Sequence, residues 1–201
     1  MDLNKTITSL KRNGYDVSVF KTGEEACRYL NQQIDGTTTG VGGSVTLQQL
    51  GICEQLSAHN EVCWHWGDAG GKSAEDIRRA AAAAKVYLTS VNAISEDGEM
   101  INIDGHGNRL ASSLYGHEKV YFVAGVNKIA PDLASAVARA RNTAAPLNAK
   151  RLDCKTPCAV RGDKCYDCRS AERICGAMVI HYRKMTSCEM EVILIEENLG
   201  Y

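Results

Sequence analysis

The 201-residue chain has no excess of either charge, no block of basic residues and no long apolar run. Its 23 Lys and Arg stand against 24 Asp and Glu for a formal net charge of −1, with the basic residues scattered along the chain. A polyanion partner selects a clustered basic surface, so nucleic acid is not expected. No apolar stretch approaches the roughly 18 residues that a membrane span needs. The opening Met1-Asp2-Leu3-Asn4-Lys5 has mixed charge where a signal peptide would have an apolar core. These absences predict a cytoplasmic protein without a membrane span. With 44% hydrophobic and 23% charged residues, the composition is that of an ordered globular chain, long enough to bury a core without disulfides.

Cysteine is missing from the whole stretch between Cys63 and Cys154, then Cys154, Cys158, Cys165, Cys168 and Cys175 follow closely. In a reducing compartment such crowding points to metal or redox chemistry before disulfides. Thiolates are soft ligands for zinc or an iron–sulfur cluster, and Cys165-x2-Cys168 lets two sulfurs reach one centre from a tight turn. Cys158, Cys165, Cys168 and Cys175 share a continuous x6, x2, x6 frame and are the expected ligands, with Cys154 as an alternative. A paired set of Cys-x2-Cys knuckles and the compact ferredoxin run are both absent, so the spacing leaves 4Fe-4S and zinc open.

Residues 1–150 alternate strand-like runs with helical stretches, the pattern of an α/β fold whose largely parallel sheet is flanked by helices. Strands are predicted near residues 16–20, 38–41, 61–64, 86–90 and 119–124, and helices over 23–33, 46–59, 73–84 and 131–145. Asp97-Gly98 between short apolar segments predicts a hairpin. Residues 151–176 read as a cysteine-rich flap, and 177–201 as strands rejoining the main sheet.

Three polar constellations follow predicted strands, where open α/β sheets bind ligands. Gly40-Val41-Gly42-Gly43-Ser44-Val45-Thr46 brings backbone, hydroxyls and a helix start together, suited either to an anion or to a plain strand-to-helix turn. It lacks the Lys-Ser/Thr pair of a P-loop, which disfavours nucleoside triphosphate hydrolysis. The second runs from Ser90 through Asn92 and Glu96 to Asn108 and Arg109. Glu96 could equally be a solvated hairpin carboxylate, and Arg109 could pair with a carboxylate. The third is Gly125-Val126-Asn127-Lys128-Ile129, in which Lys128 is either a cation for an anionic substrate or a surface lysine. His106 and His117 stand in no metal-binding motif.

These segments, in this order and together with Ala145-Pro146-Leu147-Asn148, resemble the LUD (lactate-utilisation) domain family, of the lactate-utilisation protein C type. Gly125 to Asp132 is the most specific piece. The resemblance implies a fold similar to the superfamily of ribose-phosphate isomerases, glucosamine-phosphate deaminases and CoA transferases. It also implies a place in an organic-acid (lactate) oxidation system, with a small anionic metabolite as ligand and iron–sulfur or flavin redox partners. The expected ligand-binding residues are Gly42, Gly43, Ser44, Thr46, Asn92, Glu96, Asn108, Arg109, Asn127 and Lys128, and electrons would pass through the cysteine-bound centre. Two other functions fit the same residues: a non-redox enzyme acting on a phosphorylated or CoA-linked substrate, and a zinc-stabilised binding or regulatory module. No acid–base pair is identified, so a catalytic role stays open.

Overall fold

The computed structural model describes residues 1–67 and 70–201. Six strands form a fully parallel sheet: β1 (Asp16–Phe20), β2 (Thr38–Val41), β3 (Glu61–Trp64), β4 (Val86–Thr89), β7 (Lys119–Gly125) and β10 (Glu189–Ile195), in the order β1-β10-β7-β4-β2-β3. Helices cover both faces, which is why β10 carries the continuous apolar run Val192-Ile193-Leu194-Ile195. Side chains alternate across a strand. Ile193 and Ile195 therefore enter one core with Leu30, Ile34, Leu47 and Ile52, while Val192 and Leu194 enter the other with Leu10, Tyr87 and Phe122. Each such buried side chain contributes roughly 1.5–3 kcal/mol. Parallel pairing also sets the carboxyl ends of all six strands along one edge.

A second sheet stands beside the first. The hairpin of β5 (Ala93–Ser95) and β6 (Met100–Asp104) turns at Gly98, whose φ of +91° suits glycine. β8 (Ile129–Ala130) adds parallel to β5, and β9 (Ala177–His181) adds antiparallel to β6, giving the order β8-β5-β6-β9. Residues 151–176, including a short helix at Pro157–Arg161, connect the helix at Ala145–Arg151 to β9, so the first strand expected to rejoin the main sheet pairs with β6 in the second sheet instead. β10 then runs between β1 and β7.

Two of the predicted helices form much as the sequence reads. The first is α2 (Gly23–Gln33), capped by the Thr22 hydroxyl. The second, over 73–84, is α5 (Ala74–Ala82), with Ser73 and Asp76 closing a capping box. The alanines of α5 serve close packing: a Cβ on Gly40 of β2 would overlap the Ala81 backbone. Elsewhere backbone chemistry overrides periodicity. The predicted helix over 46–59 is two helices, α3 (Val45–Leu50) and α4 (Ile52–Leu56), parted by Gly51 at φ +61°. The predicted 131–145 helix is α7 (Leu133–Arg139), then a π turn over Ala140–Ala144 that leads into α8 (Ala145–Arg151). Pro146 has no N–H to give the carbonyl four residues back, so the regular ladder cannot pass through it. Helices that were not predicted include α1 (Leu3–Arg12), capped by Asp2, α6 (Asn108–Leu114) and the short helix at Pro157–Arg161.

Candidate functional site at the carboxyl ends of the strands

Three neighbouring strands each send one polar group to a common point. After β2 comes Thr46, after β4 comes Ser90, and after β7 comes Lys128. The Lys128 Nζ donates to Thr46 Oγ1 at 2.8 Å and to Ser90 Oγ at 2.9 Å, and the two hydroxyls are themselves 3.3 Å apart. All three residues are buried, Lys128 with only 4% of its surface exposed. Burial, then the nearby Arg139 and Arg109 cations, push the Lys128 amine down to about 7. Among the described residues no carboxylate pairs with it.

The meeting point opens on a cleft of about 280 Å³ lined by Gly43, Ser44, Thr46, Ser90, Asn92, Asn108, Arg109 and Lys128 among others. Among the described residues four basic side chains line it, Arg78, Arg109, Lys128 and Arg151, against one acidic side chain, Asp104. That carboxylate is engaged, accepting from the Arg109 backbone N–H at 3.1 Å and lying 3.5 Å from its Nε. Arg109 also donates to the Ile103 carbonyl at 2.7 Å, which fixes its guanidinium at the start of α6. Arg151 lies over the Trp66 ring at 4.4 Å. The cleft therefore favours anions.

His65 adds a neutral wall. Burial first, then Arg109 and Arg78, lower it to about 4. The Asn108 amide lies 3.0 Å from its Nδ1; donation there leaves the imidazole proton on Nε2. Gly43 is required by close approach, since a Cβ would fall 2.7 Å from the Trp66 ring nitrogen. A Cβ on Gly42 would meet the Tyr87 hydroxyl at 2.8 Å, and its own N–H is bonded to the Leu88 carbonyl, so Gly42 shapes the turn beneath the cleft.

Other expected site residues stand elsewhere or serve as supports. Glu96 binds the amino-terminal segment, accepting from Asp2 N at 2.7 Å and lying 3.8 Å from Lys5. Asn127 accepts from Leu199 N at 3.1 Å, anchoring the segment that ends at Tyr201 against the cleft. Asn92 lines the cleft, but its Oδ1 is taken by Ile103 N at 2.7 Å and its N–H donates to Asn102 Oδ1 at 3.1 Å, tying the β4–β5 turn to β6. His65, Trp66, Arg78, Arg151 and Tyr201 were not anticipated. His65 and Trp66 directly follow β3, so the same strand-end rule would have found them. Arg78, Arg151 and Tyr201 have no such signal, because they arrive from helices and a distant segment.

The five clustered thiols are half-buried. Cys165 and Cys175 line a second cavity whose walls include Ile103 and Ala145, residues that also line the cleft. The Asp167 N–H donates to Cys165 Sγ at 3.3 Å and Arg173 Nε to Cys175 Sγ at 3.1 Å. Among the described residues, no three His, Cys, Asp or Glu side chains converge as a metal-holding set. The donor chemistry suits a soft metal while the present arrangement does not gather it.

Fold and cleft together define an α/β protein with a positively lined cleft at the carboxyl edge of a parallel sheet. The chain belongs to the LUD domain family, whose model matches residues 3–195. A solved DUF162 family protein from Deinococcus radiodurans shares the fold at 13% identity, covering 96% of this chain and 95% of its own, with a TM-score of 0.53. Ribose 5 phosphate isomerase A from Neisseria gonorrhoeae is a more distant match, with 17% identity over 55% of this chain and 54% of its own and a TM-score of 0.35. No curated protein matches the chain in sequence. No helix among the described residues is long and apolar enough to cross a membrane.

Proposed function

We propose that this protein binds a small organic anion, of the class of lactate and pyruvate, as a component of an organic-acid oxidation system. The observation that carries the proposal is the buried Lys128 amine, which has hydroxyls for partners and no carboxylate. Burying a cation without a counterion is costly, and an anionic ligand would supply the missing charge. Arg109 and Arg151 line the same cleft and add positive charge that favours a carboxylate or phosphate there. Membership of the LUD family supports lactate-related chemistry in preference to an unrelated anion.

The second part of the proposal concerns the flap. Its thiols take an iron–sulfur cluster or zinc, with Cys158, Cys165, Cys168 and Cys175 as ligands and Cys154 in reserve. In the iron–sulfur case it passes electrons between the cleft's ligand and an iron–sulfur or flavin partner protein. The shared Ile103 and Ala145 walls put the flap next to the cleft, which is the placement such a relay needs. Anaerobic purification with iron, sulfide and zinc analysis decides between them. Colour that bleaches on reduction supports the relay, stoichiometric zinc supports a structural staple, and absence of both refutes the flap assignment.

Calorimetry with lactate, pyruvate and inorganic phosphate tests the cleft. Binding that weakens at least about tenfold in Lys128→Met is the expected result, given the roughly 1.5–3 kcal/mol of a hydrogen bond to a charged group. Equal affinity in the variant would remove Lys128 from the site.

A further inference from the structure

We infer that Ser90 and Lys128 form a nucleophile–base pair that transfers the acyl group of a thioester or ester of a small organic acid. Lys128 Nζ lies 2.9 Å from Ser90 Oγ, within the reach a general base needs. Thr46 Oγ1, at 2.8 Å from the same nitrogen, holds the amine in place from the other side. The two hydroxyls are not equivalent. Both are buried, but Thr46 is a secondary alcohol whose hydrogen is donated to the Leu199 carbonyl at 3.3 Å. Ser90 is a primary alcohol that donates to Thr46 Oγ1 at 3.3 Å and accepts from Lys128 Nζ at 2.9 Å, so loss of a proton from the amine turns the same contact into one in which the hydroxyl can donate to nitrogen. Serine–lysine pairs need an amine that is neutral when the alcohol attacks, and a buried lysine beside two arginines meets that need.

The step balances without a cofactor. Ser90 Oγ attacks the acyl carbon while its proton passes to Lys128 Nζ, and the carbonyl electron pair moves onto oxygen, where the cleft's cations stabilise it. The pair returns, the carbon–sulfur or carbon–oxygen ester bond breaks, and the leaving thiolate or alkoxide takes the proton from Lys128. Water, deprotonated by the same amine, then attacks the acyl-serine, and its proton goes to Ser90 Oγ, leaving the free acid. A single cleft would thus both form and hold an organic acid anion.

The inference rests on the cleft being a ligand site, and the test separates the two. Wild-type protein is treated with an alkyl fluorophosphonate, which phosphonylates an activated serine with loss of fluoride, and the modified peptide is located by mass spectrometry. Modification at Ser90 is expected, with a rate that rises as pH passes upward through about 7. Lys128→Met should lower the rate at least about a hundredfold, and circular dichroism confirms its fold. No modification of Ser90 in the wild type, or an unchanged rate in Lys128→Met, overturns the pair. Pyruvate binding to the wild type is measured alongside. Binding that persists while the wild type stays unmodified refutes the pair and leaves the anion site standing; modification without pyruvate binding does the reverse.

Discussion

Replacing Lys128 by Met should make the protein more stable at neutral pH, although it removes the residue on which the cleft depends. Lysine titrates near 10.5 in the unfolded chain and at about 7 in the cleft. Its folded pKa is depressed, so the unfolded state binds the proton more tightly. The burial penalty is full below about pH 7, shrinks as pH rises and vanishes near 10.5. At ~1.4 kcal/mol per pH unit over that interval, the penalty below pH 7 is about 5 kcal/mol as an upper figure. Methionine keeps the apolar stem and loses the charge. It forfeits two hydrogen bonds of about 1 kcal/mol each, and the Thr46 and Ser90 hydroxyls retain each other. A net gain of about 2–3 kcal/mol is expected at pH 6–7, which in a domain of this size raises Tm by roughly 5–10 °C. Urea denaturation of both proteins at pH 6, 7, 8 and 9 measures it. The difference between them should narrow by about 3 kcal/mol from pH 7 to pH 9. A variant less stable than wild type at pH 6, or a difference that does not change with pH, would refute the idea of an uncompensated buried amine.

Three further perturbations probe other parts of the molecule. Lys119→Met should destabilise by about 3–5 kcal/mol in urea, because it strands the buried Glu191, whose carboxylate accepts from Lys119 at 2.8 Å, Tyr29 at 2.7 Å and Ser18 at 2.8 Å; a loss under 1 kcal/mol would show that the two hydroxyls suffice. Gly40→Ala should cost at least about 1–3 kcal/mol, since the methyl group overlaps the Ala81 backbone and forces α5 off the sheet, and a thermal melt unchanged from wild type would contradict that packing. Cys165→Ser with Cys168→Ser should abolish bound metal, whereas Cys53→Ser, in the apolar core under α4, should leave it intact; elemental analysis of the three proteins reads the outcome.

Strand and helix positions in the parallel sheet were legible because both faces are covered, and a short apolar run such as Val120-Tyr121-Phe122-Val123-Ala124 suits a strand buried on both sides. Of the second sheet, the β5–β6 hairpin and the strand from Ala177 were legible, but not that they form a separate sheet with β8. β8 is two residues long, and its pairing with β5 depends on how the chain leaves β7 through Val126–Lys128. The strand-end rule placed Gly43, Ser44, Thr46 and Lys128 on one cleft, since parallel strands must deliver their following loops to one edge, while Asn108 and Arg109 reach the same cleft from the end of β6 in the second sheet. It could not separate Lys128 from its sequence neighbour Asn127, which turns away to hold Leu199. Nor could it see that Glu96 would be captured by α1, a helix that was itself unforeseen.

The arrangement of supports shows what the fold protects. Arg139 donates to the carbonyls of Asn127 at 3.0 Å and Tyr201 at 3.2 Å, and to that of Asn92 as well. One guanidinium on α7 thus joins the turn after β7, the turn after β4 and the segment beyond β10. Those are the pieces that surround Lys128. Carbonyls satisfy the hydrogen bonds of Arg139 without neutralising its charge, so it holds the cleft's walls together while keeping the nearby amine depressed. A carboxylate in place of any of the three carbonyls would fix Arg139 as firmly and would also return Lys128 towards its ordinary value. The choice of neutral acceptors makes rigidity and a readily deprotonated lysine compatible, and it links the positive cleft to the geometry of the sheet edge.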